Sequence, residues 1–138
     1  MKASVVISVY NCEDIIDKTI PKILEQNFPI DKFEIIIVND GSTDSSHDLL
    51  KKYNHHKNLK IINHKENRGR CASRNSGIKQ AKGQFIVRVD ADDYVNSNYL
   101  NLLKLYLEFN KNVDAVACDY LLIDDKEKVI SRENCIRK

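Results

Sequence analysis

The apolar positions of this chain fall into short runs separated by amphipathic stretches. Residues 4–9 are a β-branched run too short for a helix, which predicts a strand. Residues 33–39 are almost continuously apolar through Ile35, Ile36, Ile37 and Val38, the pattern of a strand buried on both faces of a parallel sheet. Residues 59–64 and 85–89 predict two further strands, and 113–118 a fifth. Between them the period lengthens. Residues 13–26 place Ile16, Ile20, Ile23 and Leu24 on one helical face. Pro21 lies inside that stretch and removes a backbone hydrogen bond, so a kink or a late helix start is expected. Residues 42–53 predict a helix with Ser or Thr available as N-cap, and 70–81 a helix closed by Gly83 after Lys82. Residues 97–110 predict a helix with Leu100, Leu103 and Leu107 on one stripe. This alternation predicts an α/β fold, a mostly parallel sheet flanked by helices and joined by right-handed crossovers.

The pattern changes after Asp119. Residues 120–123 and 128–130 flank the charged turn Asp124-Asp125-Lys126-Glu127 and predict a C-terminal β-hairpin. Residues 131–138 show no period and are expected to fray. The chain therefore divides into one domain over 1–130 and a polar tail over 131–138. A length of 138 residues suits one domain with a hydrophobic core and is short for two.

The formal net charge of +2, with both signs interspersed, gives no electrostatic footprint for nucleic acid. No apolar segment approaches the ~20 residues that span a bilayer. The first residues enter a strand-like run without the apolar core and cleavage site of a signal peptide. A cytoplasmic protein is expected, including a peripheral place at the cytoplasmic face of the membrane. Cys12, Cys71, Cys118 and Cys135 form no C-x-x-C pair and no zinc spacing with the His residues. They are expected to be free thiols buried as small apolar residues, with Cys135 exposed in the tail.

Candidate chemistry sits where the runs end. Phe85-Ile86-Val87-Arg88-Val89 stops abruptly at Asp90-Ala91-Asp92-Asp93. Carboxylates crowded at the end of a buried strand repel unless a cation or donor compensates. In open α/β sheets that edge is where ligands bind. Asp90 and Asp92 are two apart and share a side along an extended chain. Such hard oxygens suit Mg2+ or Mn2+ with a diphosphate completing the shell. The same triplet also suits a helix N-cap and turn with solvated acids. The run 33–39 likewise ends in an acid, Asp40, followed by Gly41-Ser42-Thr43-Asp44. Gly41 permits a tight turn, and a helix N-terminus behind it favours negative charge. Asp40 lies past the apolar run, which predicts a ligand contact rather than a core role. The run 4–9 ends in Tyr10-Asn11, an aromatic that can stack on a base or simply pack. Arg68 and Arg70 place two guanidiniums before a helix, suited to phosphate or carbonyl recognition.

Together these segments resemble the donor-binding half of inverting family 2 glycosyltransferases, which have the GT-A fold. The matching segments are Val5-Val6-Ile7-Ser8-Val9-Tyr10-Asn11, Glu34 through Asp44, Asn67-Arg68-Gly69, Ala72-Ser73-Arg74-Asn75-Ser76-Gly77-Ile78, and Gly83-Gln84-Phe85-Ile86 through Asp93. They run in order from Ala3 to about Ile130. The resemblance implies a GT-A, Rossmann-like domain shorter than full-length members, and a nucleotide-sugar donor with UDP favoured. It implies a donor set of Tyr10, Asn11, Glu13, Asp40, Arg68, Arg70, Asp90 and Ala91. Tyr10 and Asp40 would hold the nucleobase, with Asp40 accepting from a ring N–H. Arg68 and Arg70 align equally well as helpers. Asp92 would be the direct ligand of Mg2+ or Mn2+, with Asp90 on the ribose or in the metal shell. Arg74 and Asn75 would brace the site.

The acceptor implied is a glycan or lipid-linked molecule. Family members place their catalytic base after the hairpin. This chain ends before that segment, and no motif supports Glu127 or Glu133 in its place. Weak transfer by the chain alone is expected, as is a homo-oligomer or partner chain over its C-terminal side. The alternative is a non-catalytic nucleotide-sugar-binding module. A sugar-phosphate nucleotidyltransferase would carry a Gly-rich basic loop where this chain has Tyr10-Asn11-Cys12-Glu13.

Overall fold

The computed structural model describes residues 1–124, 126 and 128–133. Strands β1 (Ala3–Val9), β2 (Phe33–Asn39), β3 (Leu59–Asn63) and β4 (Phe85–Asp90) form one parallel sheet in the order β3-β2-β1-β4. The two most apolar runs occupy the two central positions. Val5, Val6, Ile7 and Val9 of β1 and Ile35, Ile36, Ile37 and Val38 of β2 are buried, although successive side chains point to opposite faces. That is the signature of a sheet covered on both sides. β4 lies at an edge and alternates, with Val87 and Val89 buried and Ile86 exposed.

Helices α1 (Ile16–Leu24), α2 (Ser46–Lys51), α3 (Arg70–Gln80) and α4 (Tyr99–Phe109) follow the first four strands. α1 starts three residues after the expected position and keeps Pro21 inside; it buries Ile16, Thr19, Ile20 and Ile23. α3 lies on β1 and β2 through small residues, with Ser73 and Gly77 buried. A Cβ on Gly77 would strike Val6 Cγ1. Gly77→Ala is therefore expected to cost about 1–3 kcal/mol through overpacking, read as a lower melting temperature. An unchanged melt would mean that Val6 yields without strain.

The structure separates into two units, Met1–Leu102 and Leu103–Lys138. In the first, buried Gln26 ties the end of α1 to the entry of α4. Its Nε2 donates to Asn96 O at 2.8 Å, and its Oε1 accepts the Leu100 N–H at 3.1 Å. In the second, the expected hairpin forms from β5 (Tyr120–Ile123) and β6 (Val129–Glu133), antiparallel, with a register shift between Leu122 and Ile123. Arg132 bridges to Asp119 at 2.8 Å.

Two expectations fail here. Residues 113–118 form no strand. Their β-branched residues find no neighbouring edge, and strand propensity without a ladder does not make a strand. Residues 131–133 do not fray; they complete β6. Cys135 and Glu127 lie outside the described residues. The thiol expectation is also corrected. Cys71 on α3 and Cys118 are exposed, and Cys12 is half-buried. Cys12 and Cys71 are free thiols.

Candidate functional site

Sheet register brings three strand ends together. Ser8 of β1 pairs with Asp90 of β4, and Val9 pairs with Asn39 of β2. The Asp40 N–H donates to Val9 O at 2.8 Å, so the ladder continues one residue beyond β2. Tyr10, Asp40 and Asp90 therefore share the carboxyl edge of the sheet. The chain leaves β1 toward β2 on one side and meets β4 on the other. In an open α/β sheet, such a reversal is where a crevice forms.

The loops after β1 and β2 are cross-bonded. Asn11 adopts φ 50°, and its Oδ1 accepts the Thr43 N–H at 2.8 Å. Its own N–H donates to Ser42 Oγ at 3.1 Å. Glu13 Oε2 accepts the Ser45 N–H at 2.7 Å, while the Glu13 N–H donates to Asp44 Oδ2 at 3.1 Å. The Ser42 N–H goes to Asn39 Oδ1 at 3.1 Å, and the Ser46 N–H to Asp44 Oδ1 at 3.0 Å. These side chains consume the donors that a helix from residue 42 would present. The Ser46 N–H, which would close the first turn of a helix from 42, is held by Asp44 instead, and α2 begins at Ser46, running over Ser46–Lys51 rather than 42–53. The expected anion-favouring helix terminus behind Gly41 is thus absent. Burial pushes the Asp44 carboxyl up, but donors from Ser46 and the Glu13 N–H outweigh it and hold it below the usual range. Asn11 and Glu13 shape the wall; Tyr10 projects from it, 44% exposed.

Asp40 is 2% exposed, so its position past the apolar run did not spare it from the core. Its Oδ1 accepts from His64 Nδ1 at 2.6 Å and from the Arg68 N–H at 3.1 Å. Burial pushes its carboxyl up, yet His64, the Arg68 N–H, Ser73 and the Gly69 N–H outweigh burial and hold it below the usual range. Asp40 thus has a structural role: it anchors the loop that carries both candidate arginines. Gly41 makes that packing feasible. Its φ is +69°, and a Cβ there would strike the Glu66 carbonyl carbon and come within 2.6 Å of Asn67 N. Arg68 and Arg70 are exposed. Arg68 lines an open groove of about 510 Å³ with Lys60, Ile62, His64, Ser76 and Lys79, which the acidic strand end does not reach. Arg70 opens α3.

The acidic cluster bends sooner than an extended chain would. β4 ends at Asp90, and the Asp93 N–H donates to Asp90 O at 3.1 Å, closing a turn around Ala91 and Asp92. Ala91 is buried; Asp92 is exposed and, among the described residues, holds no hydrogen bond or ion pair. Asp90 pairs with Arg74 at 2.8 Å and with Arg88 at 3.4 Å. Arg74 Nε is buried beside this pair without a partner. Burial, then the charges of Asp92 and Asp90, push the Asp93 carboxyl up. Burial also pushes the Cys12 thiol up, with Asp92 and Asp44 adding to it, which disfavours its thiolate. Negative charge is therefore in excess at this edge. The donor set is hard oxygen, and among the described residues no three ligating side chains form a metal cluster of their own. One or two carboxylates that leave the rest of the shell to a ligand's oxygens fit Mg2+ or Mn2+.

His64 carried no motif in the sequence, and Ser76, inside the matching segment 72–78, was given no role. Only the register of β2 against β3 places the imidazole beside Asp40. That adjacency is invisible along the chain.

The family model for Glycosyl transferase family 2 matches residues 4–136. The chain belongs to glycosyltransferase family 2. Among curated family 2 relatives, poly(ribitol-phosphate) beta-glucosyltransferase of Bacillus spizizenii is 45% identical over 102 residues, 72% of this chain and 16% of that protein. Among solved structures, Staphylococcus aureus TarS 1-349 in complex with UDP superposes with a TM-score of 0.74 at 35% identity, over 80% of this chain and 33% of that one. The mannosyltransferase PcManGT of Pyrobaculum calidifontis, solved with GDP-Man and Mn2+, shares the fold at 22% identity, with a TM-score of 0.73 over 91% of this chain and 36% of that one. The GT-A architecture, a mostly parallel sheet with flanking helices, is common to these structures and this chain. The family 2 domain here spans about a third or less of the lengths of these relatives.

Proposed function

We propose that this family 2 chain binds a nucleotide-diphospho-sugar, with UDP favoured, together with Mg2+ or Mn2+, and forms the donor side of sugar transfer to a glycan or lipid-linked acceptor. The observation that carries the reading is the convergence of Tyr10, Asp40, Asp90 and Asp92 on one carboxyl edge, at the reversal between β1 and β4. Tyr10 offers an exposed ring face for a nucleobase. Asp40 offers an ionised acceptor for a ring N–H. Arg74 holds the Asp90 carboxylate in place for the ribose side. Asp92 is the carboxylate free to meet a cation, with Asp90 beside it. A bound divalent cation supplies Lewis-acid stabilisation of the departing diphosphate. Arg68 and Arg70 flank the loop anchored by Asp40 and add positive charge near the nucleotide.

The complexes of Staphylococcus aureus TarS 1-349 with UDP and with UDP-GlcNAc support the choice of nucleotide. The poly(ribitol-phosphate) transferases among the relatives support a role in cell-surface polysaccharide synthesis. Among the described residues no helix is long and apolar enough to cross a membrane. Work at the cytoplasmic side, including its membrane face, is the setting proposed. The remainder of a longer family 2 polypeptide, a second copy or a partner chain would bring the base and the acceptor wall.

Calorimetry of UDP, GDP and CDP, each with Mn2+ and with EDTA, tests the reading. Binding of UDP that requires the cation and exceeds that of GDP is expected. Equal binding with EDTA and with Mn2+ would remove the metal role, and equal binding of the three nucleotides would remove the base reading.

A further inference from the structure

His64 stands one residue past β3. Its N–H donates to Asn39 O at 2.9 Å, which carries the β2–β3 ladder forward and sets the imidazole against Asp40. The side chain is 7% exposed. Nδ1 lies 2.6 Å from Asp40 Oδ1, and Nε2 lies 2.9 Å from Ser76 Oγ on α3. The partners assign the tautomer. An ionised carboxylate only accepts, so Nδ1 carries the proton. In the neutral ring, Nε2 then accepts from the Ser76 hydroxyl. Lys60, Arg68 and Lys79 line the open groove outside the imidazole.

A carboxylate turns broadly about its terminal torsion unless its oxygens are held. Here His64 and the Arg68 N–H both end on Oδ1, and Ser73 and the Gly69 N–H also bear on the carboxylate. We propose that His64 is a positioning residue that fixes the plane of the Asp40 carboxylate for reading a nucleobase N–H, with Ser76 locking the imidazole. The inference rests on the donor-binding reading above and deepens it. The base class selected is one that presents a ring N–H between two carbonyls, as uracil does. Cytosine presents a lone pair at the same ring position and meets the carboxylate with repulsion. Discrimination between the two then depends on how rigidly Asp40 is aimed, not merely on its charge.

The test is the ratio of CDP to UDP dissociation constants, with Mn2+, for the whole chain and for His64→Leu, His64→Asn and Ser76→Ala. The unmodified chain is expected to favour UDP. His64→Leu is expected to lower that preference about tenfold or more while CDP binding changes little. His64→Asn restores an N–H near the Nδ1 position and is expected to keep most of the preference. Ser76→Ala is expected to fall between. A folded His64→Leu variant with the full preference overturns the proposal. So does a parallel fall in both affinities, which would mark a merely structural histidine. If His64→Leu does not fold, the ratio for Ser76→Ala decides, and an unchanged ratio overturns the proposal. Ring nitrogen shifts of the ligand-free chain give an independent reading: the Nδ1–H tautomer supports the proposal, and the Nε2–H tautomer overturns it. Equal binding of UDP and CDP by the unmodified chain would remove the uracil reading and this proposal with it. That outcome differs from failure at His64 because it appears before any substitution is made.

Discussion

Asp92→Asn is expected to remove most cation-dependent affinity for UDP. Asp92 is the exposed acid of the turn after β4 and has no partner to satisfy among the described residues. Its neighbour Asp90 is already paired with Arg74 and Arg88. A cation arriving with a diphosphate therefore finds its unengaged carboxylate at Asp92. Truncating a charged contact of this kind costs about 2–5 kcal/mol, tens- to thousands-fold in affinity. The fold should not suffer, because an exposed, unpaired acid contributes little to it and here sits among like charges. Calorimetry of UDP with Mn2+, beside a thermal melt without ligand, separates the two effects. Unchanged affinity would take Asp92 out of the metal shell. A large drop in the melt would make it a structural turn residue.

Asp40→Ala is expected to be the more damaging substitution to the fold. It strips the acceptor from buried His64 Nδ1 and from the Arg68 N–H together. Removing one member of a buried pair costs about 3–5 kcal/mol, a large share of the ~5–15 kcal/mol that holds a domain together. A melting temperature lower by roughly ten degrees or more is the expected result. Asp40→Asn keeps an oxygen for both donors but loses the charge, so it should unfold less readily while UDP binding still falls. The pH response follows from the direction of the shift. The folded carboxyl titrates below its ordinary value, so its stabilisation is fully present above the unfolded pKa, about 3.9. It is lost as pH falls through the folded pKa. Asp40→Asn should therefore lose less stability than the parent chain on acidification below about pH 4. Equal acid sensitivity of the two chains would show that Asp40 does not anchor the loop.

The central strands were legible because burial on both faces leaves no room for polar residues. The run from Ile35 to Val38 can hardly be anything else. The acids at strand ends were legible for the converse reason, since the run must break where the chain meets water. Residues 113–118 misled because a strand requires a partner edge, and pairing is a property of the fold rather than of Val113 or Val116. α2 misled because Asn11 and Glu13 lie far away in sequence, yet their oxygens, with those of Asn39 and Asp44 close by, take the N–H groups of Thr43, Ser45, Ser42 and Ser46 into a loop. His64 escaped notice for the same reason as its ladder bond to Asn39. Register between parallel strands leaves no mark on either run.

The reciprocal bonds between the loops after β1 and β2 have a bearing on how this site can change over time. Asn11 answers Thr43, and Glu13 answers Ser45. Ordering them is settled when the domain folds, so an arriving nucleotide freezes little on this wall and less of its binding energy is lost to restraint. The same coupling restricts inheritance. A substitution at 11 that breaks its bond leaves a donor stranded at 43, and one at 13 leaves a donor stranded at 45. Such positions are expected to covary among descendants, changing as pairs or staying as they are. Freedom to drift toward another nucleotide is left to side chains that project from the wall without bracing it, and Tyr10 is the foremost of these.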